Sequence, residues 1–180
     1  MRWYWIDKFT VFQSGSHATA VKNVSLSEDY LVDRFSGFPV MPGSLVIEGF
    51  AQTAGLLVGE CSLFQERVVL AKISKCIFHR YPVPGDTLTY SVKIDDIKPD
   101  GAFVTGSSHI DGELQAEIEL MFAHLSDADT NRELFEPVDF LAMLRIFGLY
   151  DVGRKSDGSP LDQPPHLLEA ELAARGIKPS

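Results

Sequence analysis

Glu48 is the one charged residue in a largely apolar run, Leu45 to Val58, that it and Gln52 break, and a loop rich in glycine and proline leads directly into it. From Arg34 to Gln52 the chain reads R-F-S-G-F-P-V-M-P-G-S-L-V-I-E-G-F-A-Q. A carboxylate inside an apolar helix is costly unless it is paired, hydrogen-bonded or useful. A helix that starts after Pro42-Gly43 presents unpaired backbone N–H groups and the positive end of its dipole. An acid held near such a backbone anion site is the equipment that acyl-thioester chemistry needs. Gln52 follows Glu48 by four residues, on the same helix face. It either orients that carboxylate or satisfies a backbone group under a sheet, because buried amides are normally bonded to something.

The elements that must position these groups are legible from periodicity. Trp3–Phe12 reads as a strand, with Ala18–Ser25 as its hairpin partner and a helical stub beginning at Ser27-Glu28-Asp29. A helix is predicted over 44–59, apolar all round and therefore surrounded. Glu48, Gln52, Gly55 and Gly59 share one of its faces, where the two glycines would admit another backbone. Four strand-like runs follow: Val68–Phe78, Thr87–Ile97, Ala102–Ile110 and Glu113–Leu125, with Asp111-Gly112 as a hairpin turn. The expectation is an α+β fold, one helix wrapped by a curved antiparallel sheet over residues 1–125. Residues 126–180 form a C-terminal extension. Pro137–Tyr150 reads as an amphipathic helix with Phe140, Leu141, Leu144 and Phe147 on one face. A linker over Lys155–Pro165 and a short helix over Pro165–Arg175 complete it.

Composition narrows the function classes. The chain has 180 residues, 45% apolar and 11% aromatic, with a formal net charge of −9. It can bury a core, and it lacks the basic face that nucleic acid or an anionic membrane would require. A local basic patch for an acidic carrier could come from Arg34, Lys72, Lys75, His79 and Arg80; equally, these are ordinary solvated charges. Two cysteines, Cys61 and Cys76, without CxxC spacing, suggest a reduced cytoplasmic protein with buried, inert thiols. No stretch is long enough to span a bilayer. Met41 reads as core filling or as part of a flexible gate. The Trp3/Tyr4/Trp5 cluster packs the first strand or docks the C-terminal helix.

Several motifs in order carry a family resemblance over residues 1–125. They are Lys22-Asn23-Val24, Phe35-x-Gly37-x-Pro39-x-x-Pro42-Gly43, Glu48-Gly49-Phe50-Ala51-Gln52, Pro82-Val83-Pro84-Gly85-Asp86-Thr87-Leu88, and the hairpin from Asp111-Gly112 to Phe122. In these the chain resembles the (3R)-hydroxyacyl-ACP dehydratases of fatty-acid synthesis, FabZ type, which have a hotdog fold. The resemblance implies a dimer-interface tunnel for acyl-ACP or acyl-CoA. It also implies a homodimer, with a trimer of dimers open, and neither metal nor organic cofactor. It places Glu48 at the family's acid position, and Gly43 with the first helical turn where backbone N–H groups hold the thioester carbonyl. In that family a His at the head of the loop removes the α-proton. Here that position is Arg34, and the Pro after it is Ser36.

That departure bears on the chemistry. Arginine stays protonated and cannot accept a proton as imidazole does. Loss of a general base costs on the order of 10²–10⁴ in rate. Asp33 is adjacent but should point elsewhere, and His17, His79 and His109 fall in predicted strands. Three expectations stand: a dehydratase-family enzyme with weak chemistry; a hotdog thioesterase using Glu48 alone; or a non-catalytic acyl-binding or assembly subunit. Arg34 could pair with Glu48 across the dimer or bind a phosphopantetheine phosphate.

Overall fold

The computed structural model describes residues 4–32, 37–125 and 135–177. Among them one seven-stranded sheet runs in the order β3-β6-β5-β4-β2-β1-β7. Its strands are β1 (Lys8–Gln13), β2 (His17–Asn23), β3 (Arg67–Phe78), β4 (Thr87–Lys98), β5 (Gly101–Ile110), β6 (Glu113–Leu125) and β7 (Gly153–Arg154). Helix α1 is Asp29–Val32 and the central helix α2 is Gly43–Glu60. Helices α3 (Pro137–Ile146), α4 (Leu149–Val152) and α5 (Pro165–Ala174) come from the C-terminal part. Every pairing is antiparallel except β1 with β7.

Period-two patterning builds the sheet. Leu88, Tyr90 and Val92 alternate inward along β4, facing Val104 of β5 and Ile118, Leu120 and Phe122 of β6 in one buried cluster. Asp111 and Gly112 both take positive φ, 53° and 82°, the type I′ geometry whose twist matches a two-residue hairpin. Helix α2 contacts β2, β3, β4, β5 and β6, so the sheet wraps it. Its Val46, Phe50, Ala54, Leu57 and Val58 are buried on the sheet side. The closest approach is at Gly49, where an added Cβ would lie 2.5 Å from Cζ of the fully buried Tyr90. Phe50 and Tyr90 meet edge-on with ring centres 4.9 Å apart.

Four expectations are corrected. The first strand begins at Lys8, because Trp5 and Ile6 turn into the core before pairing starts. The amphipathic run 137–150 is two helices. Gly148, at φ 65°, breaks it, and its N–H bonds the Arg145 carbonyl at 2.9 Å. The stretch after it is more than a linker: Gly153-Arg154 pairs beside Phe12-Gln13, and Arg154 bridges to Pro160. This covers the β1 edge and, among the described residues, leaves β3 as the open edge of the sheet. Finally, the glycine face of α2 meets side chains and not another backbone. A Cβ at Gly55 would touch Phe122 at 3.5 Å, and one at Gly59 would touch the Phe64 ring at 3.1 Å.

Helix α2 also runs one residue further than the pattern predicts, to Glu60, and this second carboxylate is the more buried. Glu60 is 6% exposed and accepts a hydrogen bond from the Ser14 hydroxyl in the β1–β2 turn. Burial pushes its pKa up, and the Ser14 bond offsets part of that rise. The folded protein therefore holds this proton more tightly than the unfolded chain. The associated stability is full below the ordinary glutamate value and is lost as pH rises through the raised one. Glu60→Gln keeps an acceptor for Ser14 and removes the buried charge. The variant should melt a few degrees above wild type near about pH 8 and lose that advantage near about pH 4, each kcal/mol being worth about 2–4 °C in a chain of this size. An equal difference at both pH values would sink this account.

Candidate functional site

Among the described residues the start of α2 has no side-chain cap. Pro42 is the N-cap residue, and its carbonyl takes the Leu45 N–H at 2.9 Å and the Val46 N–H at 3.3 Å. The N–H groups of Gly43 and Ser44 lie ahead of these, at the positive end of the dipole. Gly43 sits against Phe78 of β3: a Cβ there would come within 2.9 Å of the ring. Met41 is fully buried and its N–H bonds the Pro82 carbonyl at 2.8 Å, so it is core filling.

One turn into α2, Glu48 lies half-buried. Gln52 Nε2 donates to Glu48 Oε1 at 3.0 Å, and Gln52 Oε1 accepts the Trp5 backbone N–H at 2.9 Å. The backbone donor fixes which end of the amide is oxygen, so the other end must point its N–H at the carboxylate. Gln52 thus satisfies a backbone group and at the same time hydrogen-bonds Glu48. It is Glu60 that is buried, and Glu48 opens onto a cleft. Among the described residues Glu48 makes no ion pair.

That cleft has a volume of about 770 Å³, within the range of small-molecule sites. Glu48, Ala51, Gln52 and Gly55 of α2 form one side, and Phe140, Met143 and Phe147 from the C-terminal part form the other. Ring pairs close it. Tyr4 meets Phe147 at 5.1 Å near Gln52, and Phe64 meets Phe140 at 5.3 Å near Gly59. Tyr4 therefore docks the C-terminal part, while Trp5 packs against Tyr30 at 5.5 Å.

Arg34, together with Asp33, Phe35 and Ser36, lies outside the described residues. Lys72 and Lys75 are exposed on β3. His79 pairs with Glu117 at 3.4 Å, and Arg80 is drawn to Asp86 at 3.2 Å, so Arg80 braces the β3–β4 turn. None of His17, His79 and His109 lines the cleft; His166 of α5 does. Sequence reasoning passed over His166 and the Phe140–Met143 wall, because only tertiary packing brings them to α2. Cys61 is exposed and Cys76 is intermediate, which corrects the expectation of two buried thiols. Lys22 is 7% exposed and lies between Glu28 at 2.9 Å and Asp7 at 3.2 Å. Its role is to tie β2 to α1 and the N-terminal segment.

The wrapped helix, its uncapped start and the oriented carboxylate beside a cleft define a hotdog-fold protein. The FabA-like domain family matches residues 4–123. The chain is 36% identical over 119 residues to the 3-hydroxyacyl-[acyl-carrier-protein] dehydratase FabZ of Pelotomaculum thermopropionicum, spanning 66% of this chain and 85% of that one. It is 37% identical over 121 residues to the FabZ of Thermomicrobium roseum, spanning 67% and 81%. The chain belongs to the FabA-like family and, within it, to the FabZ-type hotdog proteins of fatty-acid and lipid metabolism. Solved structures agree on the fold. The dehydratase heterocomplex ApeI:P from Xenorhabdus doucetiae has a TM-score of 0.58 at 15% identity, covering 69% of this chain and 85% of that one. A Streptococcus mutans protein bound to acetyl CoA has a TM-score of 0.57 at 15% identity, covering 70% and 94%. No described helix is long and apolar enough to cross a membrane.

Proposed function

We propose that this protein binds 3-hydroxyacyl thioesters of acyl carrier protein or CoA and interconverts them with their 2-enoyl forms slowly, because its general base is missing. The observation that carries this reading is the carboxylate of Glu48, held by Gln52 at the wall of a ligand-sized cleft. In this reading Glu48 protonates the departing β-hydroxyl, and Gln52 positions it. The Gly43 N–H and the first turn of α2 stabilise the enolate oxygen, and Arg34 stands where the base would be. Residues 1–125 carry the chemistry and 126–180 serve it. Two free cysteines fit a reducing cytoplasm.

The test is hydration of a crotonyl thioester. Slow formation of the 3-hydroxy product without thiol release supports the reading. Rapid thiol release that depends on Glu48 would replace it with a thioesterase, and no chemistry by either wild type or Arg34→His would leave only binding.

A twofold dimer completes this reading. Among the described residues strand β3 has no neighbour on one side, and it exposes Leu70, Ile73, Ile77 and Phe78, each 37–41% accessible. An apolar open edge invites pairing with its symmetry copy. Sedimentation should give a dimer or a multiple of one; a monomer at micromolar concentration would exclude a shared tunnel.

A further inference from the structure

We propose that the C-terminal extension forms one wall of the acyl-chain channel, so that α3 sets which chain lengths are accepted. This rests on the reading of Glu48 as the group at the reacting end. From Glu48 the open face of α2 continues through Gln52 and Gly55 to Gly59. Eleven residues at 1.5 Å each make that track about 16 Å long. An extended chain advances about 1.2 Å per bond, so roughly a dozen carbons fit along it.

Gly55 marks this track as a channel. At Gly49 the packing of Tyr90 requires glycine, but at Gly55 a methyl group would make only ordinary contact with Phe122, at 3.5 Å. The sheet side would accept Ala there, and Gly in a helix costs about 1 kcal/mol relative to Ala. What the missing side chain provides is clearance in the cleft that Gly55 lines.

The opposite wall belongs to the extension. Leu141 and Leu144 of α3 are fully buried, which leaves Phe140 and Met143 facing the cleft. The helix is fastened from behind: Arg145 donates to Gln163 at 2.6 Å and to Glu171 at 2.9 Å. Phe135 stacks on Phe140 at 5.3 Å, thickening the end where Phe64 closes the track. Met143, unbranched and adaptable, lies between the two ring pairs and suits a flexible alkyl chain. Aromatic stops at the end and a thioether along the side make a channel for an unbranched apolar chain of medium length.

The test compares S-dodecyl-CoA, a thioether that cannot react, with CoA alone, titrated into wild type, Met143→Trp and Phe140→Ala. Melting curves establish that each variant is folded. Wild type should bind the dodecyl compound at least tenfold more tightly than CoA. Met143→Trp should remove most of that advantage, and Phe140→Ala should shift the preference toward longer chains. A wild type with no dodecyl advantage, or two folded variants that both retain the wild-type advantage and length preference, would overturn the proposal. Because binding is read without turnover, intact chain-length selection in a protein that fails to hydrate crotonyl thioester would sink the reaction and spare the channel.

Discussion

Arg34→His should raise the rate of crotonyl-thioester hydration by about 10²–10⁴, the usual worth of a positioned general base. The expectation follows from what the rest of the site already contains. Glu48 is hydrogen-bonded into one orientation by Gln52, which is itself pinned by the Trp5 backbone N–H. Among the described residues the first turn of α2 has no side-chain cap, and the Gly43 and Ser44 N–H groups lie ahead of the two that bond the Pro42 carbonyl. In the proposed reading the site keeps its acid and its oxyanion donors and lacks one function only, proton transfer at the α-carbon. Arginine cannot supply that function at any pH the fold survives, because its guanidinium stays protonated. Histidine can, with an ordinary pKa near about 6.5. In the hydration direction the same residue returns the proton to the α-carbon as imidazolium, so the gained activity should carry a new basic limb in its pH profile, falling as the imidazole loses its proton. If a folded Arg34→His protein hydrates no faster than wild type, the base is not the single missing part. The Pro-to-Ser change at Ser36 or the loop itself would then have altered the site.

How much of this was readable in the chain depended on whether the signal was local. Strand β6 has the bounds its alternation indicated, Glu113–Leu125, since one face meets the core and the other does not. Helix α2 was legible because glycine and proline mark its start and apolar residues fill its length. Glu60 was not, since an acid at a helix end looks like any solvated terminal charge. Its burial comes from the β1–β2 turn, far away in sequence. The break at Gly148 was hidden because a glycine inside a periodic run can be tolerated or can end the helix, and only its left-handed φ decides. Strand β7 is two residues long and has no period to read. The cleft was half legible: the Glu48–Gln52–Gly55 side follows from helical spacing. The Phe140–Met143 side required knowing that α3 docks through Leu141 and Leu144.

Glu48→Gln should cost about 10²–10⁴ in rate when made in the Arg34→His protein, and much less when made in wild type. The substitution suits the site because its geometry survives. The amide oxygen of a glutamine at 48 can still accept the Gln52 N–H, so the side chain stays in place and only its ability to give and take a proton is lost. With the base restored, acid and base act in one step, and removing either takes most of the gain. With that group absent, the slow step is already proton transfer at the α-carbon through water, and Glu48 has little left to accelerate. The two substitutions should therefore be non-additive by more than tenfold, a coupling that independent structural roles would not produce. Gln52→Ala separates positioning from proton transfer. It should lower kcat and leave KM nearly as it was, since Gln52 fixes the direction of the acid more than it holds the thioester. A Glu48→Gln, Arg34→His protein that kept more than a tenth of the Arg34→His rate would remove Glu48 from the chemistry. The cleft beside it would then be a binding site served by other groups.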